Sequence, residues 1–166
     1  MSTVDLPARG RRHPAAALKL RGSLALAAGS AALIHVMAAS HHFAEWWLFG
    51  AGFVVMALLQ GASALALERT PWRLAPLAAV LVNAPIVLLW VWSRTLGLPF
   101  GPEAGEPEAI GIADALCTLT EIALIGGALA LHRDASDRWL SRWSLAAVAV
   151  ALAGAATGFG HLGHSH

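Results

Sequence analysis

The sequence predicts an all-α integral membrane protein, a helical bundle of five transmembrane helices with the N-terminus in and the C-terminus out. Three observations predict it: an apolar composition, the sorting of Lys and Arg between apolar runs, and the position of Trp at the ends of those runs. Of 166 residues, 57% are hydrophobic and 13% are charged. A soluble chain this short exposes too much surface to be covered by so few charges, whereas a membrane protein gives its apolar surface to lipid.

Residues 1–21 carry Arg9, Arg11, Arg12, Lys19 and Arg21 and read as a basic cytoplasmic tail. The first apolar run, 22–40, gives roughly 28 Å of helix at about 1.5 Å per residue, enough for a hydrocarbon core of about 30 Å. The alternative is a cleaved signal peptide, since Met37-Ala38-Ala39-Ser40 offers small residues for cleavage. A signal core of about 7–15 residues is shorter than this run, so retention as a membrane anchor is the expectation. Further runs follow at about 46–67, 74–92, 109–131 and 144–162, which puts the transmembrane domain at 22–162. Residues 163–166 form a short His-containing tail.

Charge tests the span count independently. Arg9, Arg11, Arg12, Lys19, Arg21, Arg69, Arg73, Arg133, Arg138 and Arg142 fall on one side if every run crosses the bilayer, and Arg94 alone falls on the other. Basic loops stay in the cytoplasm, which sets the orientation, and only an odd count of five keeps these loops on one face. Trp46, Trp47, Trp90 and Trp92 then lie at the outer interface and Trp72, Trp139 and Trp143 at the inner one, where an amphipathic ring is favoured.

Polar groups inside lipid need a partner or a purpose. The fourth run carries Asp114, Cys117, Thr118 and Glu121 at helical spacing, hence on one face. Counting from Ala109, Asp114 lies about 8 Å and Glu121 about 18 Å into the span. His35 in the first run, Gln60 and Ser63 in the second and Asn83 in the third are candidate companions. Arg94, Asp114, Glu121, Asn83 and Gln60 are therefore the predicted ligand or proton path, with interhelical packing bonds as the alternative.

A second group lies outside. His41 and Glu45 are four apart, so they share a face of a helical turn, and His35 and His42 are seven apart. Imidazole suits copper and zinc, so His35, His41 and Glu45 are the candidate ligands for a transition metal, with a satisfied polar network as the equal alternative. The histidines His161, His164 and His166 end on the same side, the last two as a solvated tail. A haem is disfavoured, because His35 is the one histidine well inside a span and His161 sits at the edge of another. The single cysteine, Cys117, excludes an intrachain disulfide and a CxxC knuckle.

The segment 93–108 holds three prolines and three glycines and reads as a structured turn sequence, not as a continuous helix. Glu106-Pro107-Glu108 is expected at the positive end of the fourth helix. Arg94 is expected to anchor this loop over the bundle mouth through its acids or Asp114.

The runs SRTLGLPFGPEAGEPEAIGIADALCTLTE and HHFAEWWLFG resemble a recurring signature of small polytopic bacterial membrane proteins, SRTxGLPxGP…PExxGxxD, to which no activity is attached. That resemblance covers about the middle two-thirds of the chain and implies a multi-pass protein of the bacterial cytoplasmic (inner) membrane, without transferring chemistry. No nucleotide motif or nucleophile constellation is present, which argues against a self-contained enzyme, and no catalytic residue is assigned. The leading expectation is a binding or transport module with an outward-facing polar site for a metal ion, a proton or a small ligand. The alternatives are a structural or accessory subunit of a larger membrane complex and a membrane oxidoreductase using haem or copper. The expected partners are the lipid bilayer and a homo-oligomer or larger complex, with no nucleic acid. Gly154-x-x-x-Gly158 and Gly126-Gly127 allow close helix contact, either within one bundle or between copies.

Overall fold

A computed structural model describes residues 14–69 and 74–132, and its elements among the described residues are four α-helices. They are α1 (Pro14–Glu45), α2 (Trp47–Arg69), α3 (Leu74–Thr95) and α4 (Ile112–His132). Each is long and apolar enough to cross a membrane. The expected fifth span at 144–162 and the His-containing tail at 163–166 lie outside the described residues, as do Arg9, Arg11, Arg12, Trp72, Arg73, Arg133, Arg138, Trp139, Arg142 and Trp143.

The helices close into a ring in which α1 contacts α2 and α4, and α3 contacts the same two. Successive helices run antiparallel, so one end of the bundle gathers Glu45, Trp47, Thr95 and Ile112, and is here the loop end. At the opposite end, Arg21 donates from Nη2 and Nε to the Leu67 carbonyl at 2.6 and 3.1 Å, tying the start of α1 to the end of α2.

Several helix ends differ from the sequence expectation, each for a local reason. α1 starts at Pro14, inside the expected tail, because proline lacks only an N–H that a first turn leaves unpaired. It also continues past Ser40 to Glu45, since 41–45 contains no glycine or proline to stop it. A single residue, Trp46, then turns the chain: its N–H reaches the His42 carbonyl at 2.9 Å, and its own carbonyl accepts from Phe49 at 3.0 Å. α3 passes through Pro85 and ends before Gly97, whose φ of 70° suits glycine at a helix terminus. α4 starts at Ile112 and not near Ala109, because Gly111 caps it, accepting from Ala115 N–H at 3.0 Å. Glu106 and Glu108 therefore precede the helix instead of lying in its first turn, and Asp114 takes the favourable place near its positive end.

The half of the bundle away from the loop end is apolar. Leu24, Leu67 and Leu124, each at most 1% exposed, meet with Ala25, Ala28, Ala75, Ala79 and Ala128. Small residues let the backbones approach, and van der Waals contact supplies the attraction between helices in lipid. Gly127 is part of this fit: a Cβ there would stand 2.6 Å from Leu24 Cδ2. The outward faces carry Leu26, Leu58, Leu81, Leu88 and Leu119, each more than half exposed, as a lipid-facing surface requires.

Candidate functional site

Above the leucine layer, toward the loop end, every helix of the ring contributes a buried polar side chain. α1 gives His35, α2 Gln60, α3 Asn83, and α4 Cys117 and Glu121, none more than 6% exposed. Most hydroxyls of the bundle bond inside their own helix: Ser63 to the Gln60 carbonyl, Thr120 to that of Leu116, and Ser93 to that of Trp90. The five residues named first reach across helices instead. Gln60 Nε2 donates to Asn83 Oδ1 at 3.0 Å and to Glu121 Oε1 at 2.7 Å. Asn83 Nδ2 donates to the Ala79 carbonyl at 2.8 Å, which fixes its carboxamide. Cys117 Sγ lies 3.9 Å from Glu121 Oε1, one helical turn away, and His35 Nε2 lies 3.9 Å from the same oxygen.

Depth follows from helix rise. At about 1.5 Å per residue, His35 lies about 15 Å from the end of α1 and Glu121 about 13 Å from the start of α4. Both are near the middle of a span of about 30 Å. Gln60 and Asn83 are deeper, about 18–20 Å from the loop end. The later start of α4 corrects the depth of Asp114, which sits in the first turn, near the mouth and not 8 Å inside.

Arg94 organises that mouth. Its guanidinium bonds Glu108 through Nη1 and Asp114 Oδ2 through Nη2, the latter at 2.7 Å, with its side chain 11% exposed. The connection 96–111 is held on both sides of this anchor. Glu108 N–H reaches the Ser93 carbonyl at 3.0 Å, and Gly105 N–H reaches that of Leu98 at 2.8 Å. Gly97, Gly101 and Gly105 all have positive φ, and Gly101 lies so close to the Phe49 ring that no side chain fits there. Phe100 packs on Trp46 and Phe49, with ring centroids 6.2 and 6.3 Å apart. The loop is thus docked on α2 through aromatics and on α3 and α4 through charge.

The predicted residues divide into three groups. Glu121, Gln60 and Asn83 form one hydrogen-bonded set, while Arg94 and Asp114 form the mouth pair. The trio His35, His41 and Glu45 is not brought together. α1 is continuous through Glu45, so His41 and Glu45 stand six and ten residues from His35, about 9 and 15 Å along the axis. One ion with ligands at about 2 Å cannot bridge them. Glu45 instead bonds His41 Nε2 at 3.2 Å and His42 Nδ1 at 2.7 Å at the exposed end of the helix. The His42 ring stacks on Phe53 at 4.0 Å, and His35 meets Phe53 at 5.4 Å, so Phe53 lies between His42 and the buried His35.

Two features were missed by sequence reasoning. Cys117 was placed on the face of Glu121 but not counted as a ligand, although a spacing of four already put both on one helical stripe. His35 is a sequence candidate for the interior chain, but its direct contact with Glu121 could not be specified, because it depends on α1 lying beside α4. No family model matches the chain, and no curated protein or solved structure is significantly similar to it.

Proposed function

We propose that this chain is a multi-pass protein of the bacterial cytoplasmic membrane, with five spans and its N-terminus inside, and that it binds or transports a cation taken up from the extracytoplasmic side. The observation carrying this reading is the chemistry of the buried centre. It combines a carboxylate, an imidazole, a thiol and the oxygens of two carboxamides, with no lysine or arginine among its described members. Acceptors and ligand atoms gathered without a fixed positive charge favour a proton or a metal ion over an anion. The direction of access rests on the leucine layer, which seals the centre from the far end, while Arg94 and its loop cover the other end. Ten of the eleven basic residues lie on the sealed side in the five-span arrangement, which puts the loop end outside.

Two measurements test this. Glu103→Cys in a Cys117→Ala background should react with an impermeant maleimide in intact spheroplasts, and labelling only after permeabilisation would reverse the orientation. Protein reconstituted in liposomes should move or retain protons or divalent metal ions, and Glu121→Gln, checked for folding, should lower this at least tenfold. A folded Glu121→Gln protein indistinguishable from wild type would remove the centre from the function.

A further inference from the structure

We infer that the buried centre is a mononuclear site for a divalent transition metal of the zinc class, held by His35 Nε2, Cys117 Sγ and the Glu121 carboxylate, with Gln60 Oε1 as the fourth ligand. This rests on the cation-binding reading and names its ligand. One ligand atom from each of the three residues, which stand on two helices, lies within 4.8 Å of the others, and Cys117 Sγ lies 4.0 Å from His35 on the Nδ1 side of the ring. A tetrahedral ion with bonds of about 2.0–2.3 Å sets edges of about 3.4 Å between N and O and about 3.6 Å between S and O. The two edges that meet at Glu121 Oε1 are both 3.9 Å, and turning the Cys117 thiol from Nδ1 toward Nε2 brings the third ligand to the same ion.

The protons are already arranged for it. His35 Nδ1 lies 2.9 Å from the Ala31 carbonyl, an oxygen that only accepts, so Nδ1 carries the hydrogen. In the neutral ring, Nε2 is then a bare lone pair facing the Glu121 carboxyl group. A backbone carbonyl behind the other ring nitrogen is how metal-ligating histidines are commonly oriented. Gln60 does the same for the carboxylate, through the 2.7 Å bond to Oε1.

A further observation points to a ligand at this centre. Gln60 is wholly buried, and both contacts of its amide nitrogen are to acceptors, which fixes which end of the carboxamide is oxygen. That oxygen, Oε1, has no hydrogen-bond partner among the described residues. The Gln60 side chain also stands beside the His35 ring, so this oxygen belongs to the same centre. Buried unsatisfied acceptors are rare, and one beside three ligand atoms is explained by coordination.

The donor set selects the metal. A thiolate and an imidazole suit zinc and its neighbours and not magnesium or calcium, which take oxygen. Charge selects further: one thiolate, one carboxylate and one divalent cation sum to zero, the cheapest state in an apolar interior, whereas Cu(I) leaves a net negative charge. Binding releases the Cys117 thiol proton, and that of Glu121 if present, to the medium.

Cobalt(II) on the purified full-length protein tests this. Cys117 is the sole cysteine, so a thiolate-to-cobalt charge-transfer band in wild type can come from it alone. One equivalent of cobalt with that band, displaced by one equivalent of zinc, is expected. Cys117→Ser should lose the band, and His35→Gln should bind at least tenfold more weakly. His41→Ala/His42→Ala should keep the band unchanged, which separates the centre from the surface histidines. Cobalt bound without the band, or lost in the His41/His42 variant, would overturn the site. If wild type binds no cobalt but Glu121→Gln still abolishes proton flux, the metal fails and the cation reading stands. If neither metal nor proton handling depends on Glu121, both fail.

Discussion

Replacing Gln60 by Leu keeps the side chain close in size and removes the one carboxamide that joins three helices. Its Nε2 holds Asn83 Oδ1 at 3.0 Å and Glu121 Oε1 at 2.7 Å, with Asn83 fully buried and Glu121 1% exposed. The substitution leaves both acceptors without that donor. A buried group so stranded costs about 1–3 kcal/mol in soluble proteins, while hydrogen bonds between membrane helices average about 0.6 kcal/mol. The orphaned Gln60 Oε1 disappears too, which offsets part of the loss. A net destabilisation of about 1–2 kcal/mol follows. The decisive quantity is the coupling. In a cycle with Glu121→Leu, the double variant strands no acceptor at the Gln60–Glu121 contact, so it should be more stable than the sum of the singles by about 1 kcal/mol. Equilibrium unfolding in mixed detergent and SDS, followed by tryptophan fluorescence, reads all four proteins. Additivity within about 0.3 kcal/mol would show that the two residues do not meet.

Other substitutions separate the remaining parts of the bundle. Arg94→Gln removes the contacts to Glu108 and Asp114, so amide exchange across 96–111 should speed up at least tenfold while the α1–α2 half is unaffected; unchanged protection would show that the aromatic contacts hold the loop alone. Gly127→Ala should cost about 1–3 kcal/mol by crowding Leu24, and Leu24→Ala should lose less in that background than in wild type; independent losses would break the proposed fit. Glu45→Gln should change stability by less than about 0.5 kcal/mol, since its pairs with His41 and His42 are solvent-screened; a larger loss would give the surface cluster a structural role.

The helical class was legible because hydropathy and charge are local properties. Runs long enough to cross a bilayer contain few charges, and the four described ones became α1 to α4. Their ends were less legible. Ser40 to Glu45 is polar, so hydropathy stopped at the membrane surface, while the helix, sensitive to backbone breakers, continued. Gly111 did the reverse, delaying α4 beyond the apolar onset at Ala109 and moving Asp114 to the mouth. The anchoring role of Arg94 was readable, because a lone cation amid acids and Asp114 has few partners. Gln60, Asn83 and Glu121 were readable as a set because each is polar at similar depth. The companion of His35 was not, since one helix face can turn toward either neighbour. Sequence proximity favoured His41 and Glu45, and helix packing placed Glu121 and Cys117 there.

Zinc K-edge X-ray absorption on the wild-type protein, loaded with one equivalent and washed, tests the buried centre most directly. One sulfur at about 2.3 Å with two or three N/O ligands at about 2.0–2.2 Å is the predicted shell. Since Cys117 is the only source of sulfur ligation by thiolate, that single scatterer places the ion at Cys117 on α4, beside His35 of α1. A shell of nitrogen and oxygen alone, or zinc lost on washing, would contradict the site.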